Sequence, residues 1–140
     1  MKIELLRVDD AFHFEGTGSS EVKVHVDGSP DIGGQNAGVR PMELLLMGLA
    51  SCSAIDIVLI MKKQRQEITD FRIVAEGDRE QEEGTQRKPY RNINLHFILK
   101  GNNLDTDKVE RAVQLSMEKY CSATAQFEGS ANITHSVTVE

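Results

Sequence analysis

The stretch Arg40-Pro41-Met42-Glu43-Leu44-Leu45-Leu46-Met47-Gly48-Leu49-Ala50-Ser51-Cys52-Ser53-Ala54-Ile55-Asp56 decides how the rest of the chain is read. Pro41 stands where a helix accepts proline, in the first turn, where its missing N–H has no intrahelical partner to lose. The apolar run continues to Met61 and closes on Lys62-Lys63-Gln64-Arg65, cations suited to the negative end of a helix dipole. Fifteen of the twenty side chains from Met42 to Met61 are apolar. With Cys52 at the zero of a helical wheel, Leu45, Gly48, Leu49, Ile55 and Leu59 fall within about 60° of it. Met47, Ala50, Ala54, Ile57 and Met61 lie on the opposite side. A helix that is apolar all round is expected to be buried all round. One small sheet covers only one face, so the simplest arrangement is a homodimer that shares this helix. The other arrangement is a helix sandwiched between a sheet and a second helix of the same chain. A membrane span of this length is disfavoured by Glu43 and Asp56, since a carboxylate inside a lone span costs a few kcal/mol.

On the N-terminal side the pattern has period two. Val22, Val24 and Val26 alternate with Lys23 and His25, Phe12 and Phe14 flank His13, and Ile3, Leu5 and Val8 suggest an earlier strand. Asp27-Gly28-Ser29-Pro30 ends the third strand. Asp31 to Arg40, with Gly33, Gly34 and Gly38, reads as a mobile loop lining the site; it lacks the Lys-Ser/Thr of a phosphate loop. On the C-terminal side Phe71, Ile73 and Ala75 alternate, then Ile93, Leu95, Phe97 and Leu99, across a charged connection from Arg79 to Pro89. Asp105 is placed to cap a helix whose amphipathic face is Val109, Ala112, Val113, Ser116, Met117 and Tyr120. A short helix from Ser122 to Glu128 and a last strand from Ala131 to Val139 complete the order β-β-β-α-β-β-α-β. The class is α+β with a largely antiparallel sheet, in a single domain over residues 1–140.

Composition sets the outer limits. The 140 residues are 39% hydrophobic and 27% charged, which excludes wholesale disorder. A formal charge of −6, no Trp, and only five Phe and two Tyr leave no basic or stacking surface for nucleic acid. The opening MKIELLRVDD is not a secretory signal, so a reducing cytoplasm is the expected setting.

The candidate chemistry rests on Cys52 and Cys121, 69 residues apart and too few for a disulfide scaffold. In a reducing compartment such a pair fits one thiol that attacks a peroxide and a second that condenses with the sulfenic acid. Cys52 sits among aliphatic side chains one turn before Asp56. A carboxylate and an apolar surround both disfavour its thiolate, so activation would need a cation from elsewhere, with Arg40 and Arg7 as candidates. Cys121 precedes a short helix whose free N–H groups would lower its pKa. Packing as small hydrophobes is the alternative for both thiols. The four histidines are scattered and no Cys-x-x-Cys or His-x-x-x-His spacing exists, so neither a metal nor a cofactor is expected. His135 falls in phase with the apolar side of the last strand and reads as a core histidine; His96 shares a polar phase and reads as solvated.

Arg40 to Asp56 resembles the central helix of the OsmC/Ohr superfamily, the osmotically inducible and organic-hydroperoxide-resistance proteins. Glu118-Lys119-Tyr120-Cys121-Ser122 resembles the family's second cysteine motif. Asn92-Ile93-Asn94-Leu95-His96-Phe97 and Asn132-Ile133-Thr134-His135-Ser136 are similar to the YhfA-like branch. The resemblance implies antiparallel sheets wrapped around the long central helix in an intertwined homodimer, with two sites at the subunit interface. It implies that Cys52 attacks an organic hydroperoxide, that Cys121 resolves it, and that a dithiol such as a lipoylated protein is the reductant. The family's peroxidases carry Glu directly after the helix-opening Pro and Arg on an early strand loop. Here Met42 holds the first position with Glu43 next to it, and Gly16 to Gly18 has no Arg. Arg40 and Glu43 are therefore the candidate thiolate-activating residues, although nine residues of helix put Glu43 about 180° from Cys52. The alternative function is a non-enzymatic dimer that binds an apolar small molecule at the subunit interface.

Overall fold

A computed structural model describes the whole chain, Met1–Glu140. It falls into two compact units, Met1–Leu45 and Leu46–Glu140. The first holds a three-stranded antiparallel sheet in the order β1 (Glu4–Arg7), β2 (Phe14–Thr17), β3 (Val24–Val26). β1 and β2 stop short of the full alternation, with Asp9 capping the turn between them by accepting from the Ala11 and His13 amides, and β3 begins only at Val24.

The glycine loop after β3 is tied down rather than hanging free. Asp27 is 1% exposed. Its carboxylate accepts from the backbone N–H groups of Gly28 at 2.7 Å, Gln35 at 3.0 Å and Ala37 at 3.1 Å. These donors, the Ala37 amide foremost, hold the carboxyl below the usual aspartate value. Gly34 is required here: a Cβ would stand 1.8 Å from the Gly28 carbonyl oxygen. At Gly38 it would stand 2.3 Å from the His25 carbonyl carbon, where Val39 bridges in parallel to Val26.

The long helix α1 (Pro41–Lys63) begins at the end of the first unit and runs into the second. It is long and apolar enough to cross a membrane by length and composition. Its buried positions form one stripe, Leu49, Ser53, Ile57 and Met61, spaced every fourth residue. The expectation of burial on every side fails for the isolated chain: Leu45, Ile55 and Leu59, all on the Cys52 side, stay exposed, with Ile55 at 69%.

The second unit carries a sheet in the order β4 (Glu67–Arg79), β5 (Tyr90–Asn102), β6 (Asn132–Val139). β4 and β5 form the expected antiparallel pair, with Phe71 opposite Leu99 and Ile73 opposite Phe97. β6, however, runs parallel to β5, Leu95 opposite His135 and Phe97 opposite Val137. The two helices between β5 and β6 carry the chain back to the start of β5, and a crossover of that kind yields a parallel neighbour. Ile93, Leu95, Phe97 and Leu99 are buried, with Val109, Ala112 and Val113 of α2 (Thr106–Leu115). Asp105 caps α2 by accepting from the Lys108 N–H at 3.3 Å.

α2 does not continue regularly to Cys121. Ser116–Tyr120 forms one wide π-helical turn, closed by the Cys121 N–H donating to the Ser116 carbonyl at 2.8 Å. The extra residue shifts the phase of the helix. Tyr120, expected on the buried face, is exposed, while Ser116 and Met117 remain buried. A single wide turn of this kind is commonly found at functional sites.

Candidate functional site

The wide turn delivers Cys121 to α1. Cys121 is buried, Cys52 is half-buried, and both are free thiols. The two sulfurs and a carboxylate oxygen of Asp56 all lie within 4.8 Å of one another. Cys52 and Asp56 share a face of α1 because they are one turn apart. Cys121 joins them from the end of the π turn, where its backbone is extended and the chain enters α3 (Ser122–Phe127).

Two hydroxyls organise the cluster. Ser116 is fully buried. Its Oγ lies 3.2 Å from Asp56 Oδ2 and 3.3 Å from the Ser53 carbonyl oxygen, so one proton faces two acceptors. Thr124 donates its backbone N–H to the Cys121 sulfur at 3.4 Å, and its hydroxyl points to the Met117 sulfur at 3.9 Å. Cys121 is thus the N-cap of α3, as its position before Ser122 suggests. The expected lowering of its pKa does not follow. Burial pushes the Cys121 thiol above its usual range; the two Thr124 donors oppose this without cancelling it, and the Cys52 sulfur adds to the rise. Desolvation outweighs the capping amides because the thiol faces the interior and not water.

The remaining candidates have partners or settings of their own. Arg40 donates to the Gly38 carbonyl at 3.3 Å and to the Asn36 side chain. Arg7 donates to the Ala11 carbonyl at 2.9 Å and to the Asp10 carbonyl. Both guanidinium groups are engaged by acceptors within Met1–Leu45. Glu43 is exposed in the first turn of α1, where a carboxylate suits the helix dipole. His135 is not the core histidine its phase suggests. It is exposed and lines a cavity of about 470 Å³ with Met117, Glu118, Thr124, Glu128 and Ile133. His96, half-buried, meets Thr138 Oγ1 at 2.8 Å.

Three participants were not legible as such. Asp56 reads from the sequence only as an obstacle to a Cys52 thiolate. Ser116 reads as one position of an apolar face, and Thr124 as a residue of a short helix. The available signals were the four-residue step from Cys52 to Asp56 and a serine at a position that demands burial, where a hydroxyl needs an acceptor. No sequence spacing announces a metal site, yet Cys52, Asp56 and Cys121 bring three metal-capable donor atoms together. The fold, and not a local motif, makes that group.

Two three-stranded sheets, a long apolar helix and a thiol pair drawn together across 69 residues define the class as OsmC-like. The chain belongs to the OsmC family: the family described as OsmC-like protein matches residues 33–136. Among individual relatives, protein YhfA of Escherichia coli K12 is 40% identical over 126 residues, spanning 90% of this chain and 89% of that protein. A hypothetical protein from Aquifex aeolicus VF5, known from its crystal structure, is 32% identical with a TM-score of 0.78 over 99% of this chain and 96% of its own. The organic hydroperoxide resistance protein OhrB of Bacillus subtilis shares the fold at 20% identity, with a TM-score of 0.65 over 98% of this chain and 96% of its own.

Proposed function

We propose that this chain is one OsmC-like domain that reduces organic hydroperoxides through Cys52 and Cys121. The observation that carries the reading is the approach of the two sulfurs to within 4.8 Å, from positions 69 residues apart. In the first step the Cys52 thiolate attacks the distal peroxide oxygen. The O–O bond breaks, the alkoxide leaves with a proton from solvent as an alcohol, and Cys52 becomes a sulfenic acid. In the second step the Cys121 sulfur displaces hydroxide from that sulfenic acid. A disulfide forms and the hydroxide leaves as water with the Cys121 proton. A dithiol then returns both cysteines to thiols and is itself oxidised to a disulfide.

The environments divide the roles. Cys52 is the less buried of the two cysteines, which suits it to the attack on substrate. Cys121 is buried and held above the usual thiol range, so it keeps its proton while Cys52 attacks. Arg40 and Glu43 belong to the proposal only as outer candidates for activating Cys52. The uncovered apolar side of α1, Leu45, Ile55 and Leu59, supports a homodimer in which a second copy covers that face. A reducing cytoplasm is the setting in which both thiols would persist.

The test is a thiol count on reduced protein exposed to less than one equivalent of cumene hydroperoxide. The expected result is an intramolecular Cys52–Cys121 disulfide, a sulfenic acid trapped on Cys52 in Cys121→Ser, and no reaction in Cys52→Ser. Equal, slow oxidation of all three proteins would refute it.

A second reading has its own support. An apolar cavity of about 570 Å³ within Met1–Leu45 is lined by Ile3, Leu5, Phe14, Val22, Val24 and Leu44 among others. Such a cavity suits an apolar small molecule bound without chemistry. Saturable quenching or enhancement of a fluorescent fatty acid, unaffected by Cys52→Ser, would favour binding over reduction.

A further inference from the structure

We propose that Cys52, Asp56 and Cys121 form a binding site for a thiophilic divalent cation, Zn²⁺ being the chemical type, with a fourth position open to water. The inference goes beyond the peroxide reading and does not depend on it, since it needs only the three donor atoms. Those atoms, two sulfurs and one carboxylate oxygen, lie within 4.8 Å of one another. A tetrahedral zinc with its usual bond lengths sets such donors about 3.6–3.8 Å apart, so closure asks for about 1 Å of movement at most. Two thiolates, one carboxylate and a water is the composition of an open tetrahedral site rather than a closed structural one.

Binding is balanced by release of the two thiol protons: M²⁺, two thiols and a carboxylate give a complex of net charge −1 and two H⁺.

The supporting groups are already in place. Ser116 Oγ, 3.2 Å from Asp56 Oδ2, orients the Asp56 carboxylate. The Thr124 N–H, 3.4 Å from the Cys121 sulfur, supports a thiolate there. With a cation bound, each thiolate donates a lone pair to it and the two sulfurs are held at coordination distance, so a disulfide closes only as the cation leaves. The cation is therefore a reversible block on any thiol chemistry at this site.

The experiment is a titration of fully reduced protein with Co²⁺ as a spectroscopic stand-in. The expected result is one equivalent bound per chain, a sulfur-to-cobalt charge-transfer band in the near ultraviolet, tetrahedral bands in the visible, and loss of both on adding Zn²⁺. Cys52→Ser and Cys121→Ser each lose most of the charge-transfer band. Asp56→Asn keeps the band and binds Zn²⁺ at least about tenfold more weakly, and Ser116→Ala weakens binding by about 10–100-fold, as loss of a supporting group does. Circular dichroism shows whether each variant is folded, and wild type alkylated at both thiols serves as a control in the native chain. Absence of the band in reduced wild type at saturating Co²⁺ overturns the site, as does a band that survives either cysteine substitution unchanged. A protein that forms the Cys52–Cys121 disulfide with hydroperoxide but shows no band refutes the metal site alone. A band without peroxide chemistry refutes the peroxide reading alone.

Discussion

Replacing Ser116 by alanine removes a single hydroxyl from the interior and tests how the site is held together. The hydroxyl has one proton and two acceptors, the Asp56 carboxylate at 3.2 Å and the Ser53 carbonyl at 3.3 Å. Distance does not separate them; charge does. A hydrogen bond to an ionised group contributes about 1.5–3 kcal/mol and one between neutral groups about 0.5–1.5 kcal/mol. The proton therefore goes to Asp56, and the Ser53 carbonyl keeps its place in the α1 ladder without it. Because Asp56 is half-buried and water reaches it, the lower part of the charged range applies, about 1.5–2 kcal/mol. For a chain of this length that is a fall of about 5–7 °C in Tm. The discriminating assay is a double-mutant cycle by urea unfolding on wild type, Ser116→Ala, Asp56→Ala and the double variant. Coupling of about 1 kcal/mol or more is expected. Additive losses, within about 0.3 kcal/mol, would mean that the hydroxyl serves Ser53 and that nothing orients Asp56.

Phe97 is fully buried in the middle of β5, with its ring centroid 6.4 Å from that of Phe71; Phe97→Ala is expected to lower stability by about 3–5 kcal/mol, measured by the same denaturation. Asp27, whose carboxyl is held below its usual value chiefly by the Ala37 amide, contributes stability that is present above the unfolded value of about 3.9 and is lost as pH falls through the folded value. Urea midpoints between pH 7 and pH 3 should therefore drop in the acid range for wild type, and the drop should flatten in Asp27→Asn; parallel curves would contradict it. Iodoacetamide should modify Cys52 first and Cys121 only at more alkaline pH, read by peptide mass spectrometry, because burial keeps Cys121 protonated. Ile55→Asp, at a position 69% exposed in the isolated chain, should leave the circular dichroism unchanged while light scattering shows the mass of one chain in place of two.

Patterns that depend on neighbours in sequence were legible. Period-two runs marked β4 and β5, and Ile93, Leu95, Phe97 and Leu99 are buried as their alternation requires. Pro41 and Lys62-Lys63 bound α1 where a helix dipole and a missing N–H place them, and Asp105 caps α2. Features that depend on where a segment ends up were not legible. The parallel pairing of β6, the outward turn of Tyr120 and the exposure of His135 each follow from a connection or a register, not from the local residues. The same holds for Cys121: being next to a helix start is a local fact, but how far water is excluded from its sulfur is not.

By itself the amino-acid order determined the helices, most of the strands and the two cysteines, because side-chain periodicity and end-capping act over a few residues. Only the tertiary structure decided that Cys52, Asp56 and Cys121 converge, with Ser116 behind them. That meeting requires one extra residue in a single helical turn and contacts across more than sixty positions of chain, and no short-range rule can carry it.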